Sequence, residues 1–262
     1  MDKIIKKEYK EIKNEKKKTY KQKKTNLKQK YKEEISKLKE QYFSKKSKKE
    51  KKNVVNPPKR PVLEEIGNAV THGFGSVFAI VAFLLMLSSS KNTLEVISSI
   101  IYFVGLFVMF TMSCLYHSFK YGSTVKRLFR RFDYSSIYLL IGATFVPILL
   151  IFFGGSFGII FVIIQWIIII TGVAFIGVFG PHKLKALHIT LYIVLGWSGL
   201  ILLPKMLTDN ITLFCYILGG GIIYTLGIIP FALKKKVSHF IWHFFVLLGA
   251  IVQFIGIFTC IY

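Results

Sequence analysis

The hydrophobic positions of this chain are concentrated in seven long apolar runs separated by short polar segments. Each run is about 20 residues long, the length at which an α-helix crosses the hydrocarbon core of a bilayer. Burial inside a globular protein is the competing explanation, but so many uncharged runs of this length argue against it. The pattern predicts an all-α, multi-pass cell-membrane protein with seven transmembrane helices. The predicted spans lie near residues 69–89, 95–116, 133–153, 156–179, 186–206, 211–233 and 240–261.

The amino-terminal part of the chain has the opposite character and is rich in lysine. The first 60 residues contain 24 Lys and Arg against 8 Asp and Glu, whereas the rest of the chain contains 12 and 5. A segment of this composition has too few apolar residues to build a core. We therefore divide the chain into a Lys-rich tail with a Pro-rich linker, residues 1–60, and a seven-helix transmembrane domain, residues 61–262.

The tail carries apolar residues at helical spacing, namely Tyr31, Ile35, Leu38 and Tyr42. This spacing indicates a basic amphipathic helix or a weak coiled coil, which the prolines at residues 57–61 would end. Three interpretations stay open: a solvated, partly disordered segment, a helix lying on anionic lipid headgroups, and a nucleic-acid binder. Nucleic acid is the least favoured partner because the tail has no folded domain and almost no interleaved aromatic residues.

Basic residues in the loops give the predicted orientation. Those on the same side as the tail are Lys120, Lys126, Arg127, Arg130, Arg131, Lys183, Lys185, Lys234, Lys235 and Lys236. With the tail, this side holds 34 of the 36 basic residues, and only Lys91 and Lys205 lie opposite. The positive-inside rule then predicts a cytosolic amino terminus and an outside carboxyl terminus.

A histidine pair, His239 and His243, opens the seventh span. Residues four apart share a helix face, an arrangement that can bind a divalent metal, although chance or two interfacial histidines would also give it. The predicted orientation places His117, at the end of the second span, at the same cytosolic depth. Three imidazoles with an open fourth position are the ligands of a catalytic zinc site.

Two further polar residues belong to the same predicted face of the membrane. Asp133 begins the third span, and an ionisable group at that depth indicates function, although a salt bridge to Arg130 or Arg131, or a helix N-cap, would also explain it. Zinc lowers the pKa of a coordinated water to about 7, and the carboxylate could take its proton. Ser113, on the same helix face as His117, could bond that water or a substrate carbonyl, or bond back to its own helix.

Glu65, Asn68 and His72 fall on one helical face just before the first span. Helix capping and interfacial solvation explain them adequately. The sharper interpretation is that they orient the zinc ligands through hydrogen bonds. His182 and His188 lie in or beside a basic loop, and we expect both to be solvated.

These segments, taken together, resemble the hemolysin III family, the bacterial branch of the progestin and adipoQ receptor superfamily. The segments are Glu65-xx-Asn68-xxx-His72, Ser113-Cys114-Leu115-Tyr116-His117-Ser118-Phe119, Asp133-xxx-Ile137-Tyr138-Leu139-Leu140-Ile141 and His239-xxx-His243. The resemblance covers residues 62–262 and leaves out the tail. It departs from many bacterial relatives at Tyr134 and Gln253, where those have histidine.

The resemblance implies a seven-helix membrane protein with zinc near the cytosolic face. It implies that His117, His239 and His243 are the zinc ligands, and that Asp133 and Ser113 hold or flank the metal-bound water. Related eukaryotic receptors and alkaline ceramidases imply hydrolysis of lipid amides or esters. Two other classes stay open, a cytolytic or pore-forming hemolysin and a metal-dependent sensor without turnover.

Overall fold

The computed structural model of the chain describes residues 2–52, 55–233 and 235–262. Its contacts divide the chain into two units, Met1–Asn56 and Pro57–Tyr262. Lys234, one of the loop lysines that orient the chain, lies outside the described residues.

The first unit contains one long helix, α1 (Asp2–Lys52). No glycine or proline occurs within these residues to interrupt it. The apolar side chains at helical spacing point outward, with Leu38 62% and Tyr42 65% exposed. The helix that the spacing predicted is therefore present, and its apolar side chains are not buried within the unit.

Seven helical segments of the second unit are long and apolar enough to cross a membrane, which confirms the predicted fold class. Among the described residues there is no strand. In chain order, the spans are α2 (Val62–Ser89), α3 (Thr93–Ser118), α4 (Thr124–Pro147) with a π-helical extension (Ile148–Phe153), α5 (Gly155–Phe179), α6 (Lys185–Trp197) joined through a 3-10 segment (Ser198–Leu202) to α7 (Leu203–Asp209), α8 (Ile211–Leu233) and α9 (Ser238–Ile261).

Two spans begin earlier than their apolar runs predicted. The first begins at Val62 rather than near residue 69, and Glu64 and Glu65 lie in its first turn, where carboxylates favour the positive end of the helix dipole. The third begins at Thr124 rather than at residue 133, with Ser123 capping it. Hydropathy locates the apolar length of a helix and misses polar turns that extend beyond it. This correction also removes the N-cap explanation of Asp133, which lies inside α4.

Proline residues modify three of the spans. After Pro147 the helix widens into π-helical turns and ends at Gly154, which has a φ of 64°. Proline has no amide proton, so the regular hydrogen-bond ladder cannot pass through it. Pro204 lies at the start of α7, after the 3-10 segment that interrupts the fifth span. Pro230 lies inside α8.

Glycine allows close helix contacts at particular positions. A Cβ on Gly105 would lie 2.2 Å from that of Ala143, so α3 and α4 are in close contact there. In the run of three glycines in α8, only Gly220 has this role, because its Cβ would lie 2.3 Å from the Gln253 side chain of α9. No atom lies within 4 Å of such a Cβ on Gly221. The end of α3 lies beside the starts of α2, α4 and α9, because His117 contacts Glu65 and His239 and the neighbouring Tyr116 contacts Lys126.

Candidate metal centre

Three histidines from two helices meet at one end of the bundle. One ring nitrogen from each of His117, His239 and His243 lies within 4.8 Å of the others, a group that could hold a metal ion. The Nε2 atoms of His239 and His243 are 3.2 Å apart. His117 and His243 are buried. The predicted histidine set is therefore brought together by the fold.

The start of α9 sets the position of the histidine pair. Val237, just before the helix, has a φ of 66°, a left-handed conformation that reverses the chain. Its amide donates a hydrogen bond to the Glu64 carboxylate over 3.2 Å, which ties this start to α2. The next turns of α9 then place His239 and His243 on one face, toward α2 and α3.

Glu65 fixes the orientation of the third imidazole. Its carboxylate lies 2.5 Å from Nδ1 of His117, and the Asn68 amide lies 3.3 Å from the same nitrogen. Among the described residues, Nε2 of His117 is buried and has no hydrogen-bond partner. A carboxylate on one ring nitrogen that leaves the other for a metal is the usual arrangement of a histidine ligand. The buried, unpaired nitrogen fits a metal centre.

Sequence reasoning missed the residue that holds Glu65. The Lys126 ammonium lies 3.1 Å from the second carboxylate oxygen of Glu65, and the lysine is only 1% exposed. It also lies over the ring of Tyr116, 4.9 Å from its centre. A buried lysine needs a paired charge, and Glu65 supplies it. Its place in the sequence, two residues into α4, indicated only a loop cation.

His72 lies against the histidine group without belonging to it. Its ring centre is 3.9 Å from that of His243, and it is 3% exposed. Among the described residues, neither of its ring nitrogens has a hydrogen-bond partner. Asn68 is fully buried as well. The solvation explanation of these two residues is therefore wrong, whereas Glu65 and Asn68 contact a candidate ligand directly.

A cavity of about 210 Å³ opens beside the histidines. His239, His243, Ser113 and Asp133 all line it, so the fold brings the two predicted catalytic residues to the candidate metal centre. The Ser113 hydroxyl lies near the Asp133 carboxylate. From there the cavity continues between apolar side chains of the remaining helices, among them Met109, Leu140, Phe145, Ile148, Met206 and Phe214.

Two positions that depart from the family pattern also line this cavity. Tyr134 follows Asp133 on α4, and Arg130 stacks on its ring at 5.7 Å. Gln253 lies further along α9, and its amide donates to the Ile217 carbonyl over 3.3 Å. Substitution at these positions therefore changes the wall of the cavity and leaves the three histidines in place.

The remaining histidines have different environments. His182 is exposed, as expected. The expectation of a solvated His188 is wrong, because this residue is 1% exposed and its Nδ1 lies 2.9 Å from the Tyr138 hydroxyl. The basic residues before it belong to the loop, but the first turn of α6 carries His188 inward. It is a packed, hydrogen-bonded histidine outside the group of three.

The fold and the site define a seven-helix membrane protein with three histidines at one end of the bundle that could hold a metal ion. The chain belongs to the hemolysin III family, within the progestin and adipoQ receptor superfamily, and the family model for haemolysin-III related proteins matches residues 61–254.

Named relatives match almost the same part of the chain. It is 37% identical to Hemolysin-3 of Bacillus cereus over 199 residues, which are 74% of this chain and 90% of that protein. It is 32% identical to the Hemolysin-3 homolog of Bacillus subtilis over 206 residues, 76% of this chain and 96% of that protein. The human monocyte to macrophage differentiation factor is 29% identical over 207 residues, 76% of this chain and 85% of that protein.

Proposed function

We propose that this protein is a zinc-dependent hydrolase that cleaves an ester or amide bond of a membrane lipid at the inner leaflet. The observation that carries the proposal is the shared cavity: His239 and His243 of the histidine group line an apolar cavity that Asp133 and Ser113 also line. A purely structural metal site is closed, whereas a catalytic one keeps a face open to substrate.

The lining of the cavity supports a lipid substrate. Apart from the polar groups beside the histidines, the described residues that line it are mostly aliphatic or aromatic. An apolar lining offers no hydrogen-bond partners, and burying a polar group without one costs free energy, so such a cavity favours a hydrocarbon chain over a polar metabolite. A scissile carbonyl at the head of this chain would lie beside Ser113 and Asp133.

Each polar residue has a distinct role in the proposed reaction. His117, His239 and His243 would hold zinc, which supplies a Lewis acid that polarises a carbonyl and makes water nucleophilic near neutral pH. The Asp133 carboxylate takes the proton of the attacking water and passes it to the leaving group. The Ser113 hydroxyl, which lies near this carboxylate, would donate a hydrogen bond that keeps it in place.

Fatty-acid release from purified protein tests the proposal. Wild type with zinc should release fatty acid from ester or amide lipids. His243→Ala should lose most of the zinc and all release, whereas Asp133→Asn should keep much of the zinc and lose release, because it keeps the shape but not the base. His182→Ala and Asp209→Asn, at exposed positions, are the matched controls. If the protein binds stoichiometric zinc but releases no fatty acid from any lipid, the enzyme proposal is wrong and a metal-dependent sensor is favoured instead.

The names of two relatives favour a second candidate, membrane lysis. Lysis of erythrocytes or dye-loaded vesicles by the purified protein measures it. If His243→Ala and Asp133→Asn lyse as well as wild type, the lytic activity is independent of the metal centre. Lysis lost in both variants would instead make it a consequence of lipid hydrolysis.

We also propose that the tail binds anionic lipid headgroups on the cytosolic side. Residues 1–60 contain 24 basic and 8 acidic residues, and the aromatic and aliphatic side chains that the structure describes in α1 are exposed. Each basic residue that reaches an anionic surface contributes about 1 kcal/mol.

A further inference from the structure

Arg60 places a guanidinium group at the mouth of the cavity. It precedes α2 (Val62–Ser89) and lines the cavity together with Asp133, His239 and His243. Its side chain is 16% exposed, so most of it is withdrawn from solvent. The proposed hydrolysis gives this residue no task.

The described contacts of Arg60 leave part of the hydrogen-bonding capacity of its guanidinium group unused. Its Nε lies 3.9 Å from the Glu64 carboxylate, which is at the outer limit of an ion pair. Within the part of the chain that the structure describes, Nη1 of Arg60 is buried and has no hydrogen-bond partner. A buried, charged donor without an acceptor is costly, which indicates that a ligand completes it.

The balance of charges around the cavity is compatible with an anionic ligand. Among its described lining residues, Arg60 is the only cation and Asp133 the only carboxylate. Glu65 faces away, toward His117 and Lys126. Asp133 also interacts with Arg130, so Arg60 does not hold that carboxylate alone. A divalent metal at the histidines would add two positive charges, and the cavity would then favour an anionic ligand.

Depth along the helix indicates which part of a lipid meets Arg60. Glu65, whose carboxylate contacts the candidate ligand His117, lies in the first turn of α2, five residues after Arg60, so the histidines lie about one helical turn further into the bundle than Arg60. A lipid whose scissile bond reaches the histidines therefore has its headgroup, and not its acyl chain, beside Arg60. Guanidinium matches the oxygens of a phosphate with two parallel hydrogen bonds.

We infer that Arg60 binds the phosphate of a lipid headgroup, so that the protein selects phosphate-bearing lipids over neutral ones. The inference rests on the proposed function for the placement of the scissile bond. A fatty-acid carboxylate is not the anion that Arg60 binds, because hydrolysis forms that carboxylate at the histidines and not at the mouth of the cavity.

Ligand binding without turnover tests the inference. The full-length, zinc-loaded protein is titrated with an ether-linked alkyl glycerol phosphate, with the neutral alkyl glycerol of the same chain length, and with inorganic phosphate alone. Tryptophan fluorescence reports binding, because Trp197 and Trp242 line the cavity. Ether lipids have no ester to cleave, so the result is independent of hydrolysis, and absence of fatty-acid release from ester lipids would count against the proposed function only.

Wild type should bind the phosphate-bearing ether roughly tenfold or more tightly than the neutral one. Arg60→Gln should remove this preference, Arg60→Lys should keep part of it, and Arg131→Gln, at an exposed position, should keep all of it. Zinc content and size-exclusion profile identify any variant that fails to fold. Equal affinities in wild type, or a full preference in Arg60→Gln or Arg60→Lys, overturn the inference. Inorganic phosphate binding as tightly as the ether phosphate overturns the assignment to a lipid.

Discussion

The two ring nitrogens of His117 have separate surroundings at the candidate metal centre. Nδ1 meets Glu65, whereas Nε2 is buried with no hydrogen-bond partner among the described residues. Behind Glu65 lies Lys126, so a chain of three charged or polar groups runs from the start of α4 to the histidine. Lys126 fixes the position of the Glu65 carboxylate, and the carboxylate fixes the orientation of the His117 ring. The imidazole therefore has the orientation that a metal ligand requires without a metal being present.

Replacing Lys126 with Met keeps much of the side-chain volume and removes the cation that neutralises Glu65. The free carboxylate then loses its fixed position, and zinc affinity should fall by about tenfold or more. Competition with a chelator of known affinity measures this. Lys120→Met, at an exposed loop position, is the control and should bind zinc like wild type. Unchanged affinity in Lys126→Met would show that Glu65 does not depend on the lysine.

At the scale of the helices, contact between α3 and α4 depends on a missing side chain. Gly105→Ala would place a methyl group 2.2 Å from Cβ of Ala143 and 2.9 Å from the Leu139 carbonyl oxygen. The helices must separate, at a cost of about 1–3 kcal/mol. Gly221→Ala, where nothing lies within 4 Å, should leave stability unchanged. Thermal unfolding in detergent compares the two variants, and equal melting temperatures would contradict this account of the packing.

The apolar runs predicted which segments form the seven membrane-length helices. A run of bilayer length must satisfy its backbone hydrogen bonds internally in lipid, and a helix does this within one segment. The runs could not place the helix starts, since the first turns of α2 and α4 are polar. The histidine set followed from spacing and depth. Lys126 and His188 did not, because both lie near basic loops in the sequence and only the packing of helices carries them inward. Tertiary contacts of this kind leave no local pattern.

At the scale of the whole molecule, the orientation in the membrane is the first prediction. With 34 of 36 basic residues on one side, a reporter fused after Tyr262 should be active outside the cytosol. A fusion within the loop at residues 180–184 should give the opposite result. Cytosolic activity after Tyr262 would contradict both the orientation and the inner-leaflet location of the site.

The tail gives the second prediction at this scale. Deleting residues 1–56 removes a unit separate from Pro57–Tyr262, so the shortened protein should still insert and bind zinc. It should lose the salt-sensitive part of its affinity for anionic vesicles. Vesicle co-sedimentation at low and high salt measures this, with zinc content as the control. Loss of metal on truncation would show that the tail supports the bundle.

The candidate ligands come from distant parts of the chain, one in α3 and two in α9. A ribosome adds about 5–20 residues each second, so His239 follows His117 by on the order of 6–25 s. During that interval the nascent protein has a single imidazole of the three, and no metal centre can form. A metal held by all three histidines could bind only after the start of α9 has been made and has packed against α3. Occupancy of the candidate centre would then report that these two distant helices have come together.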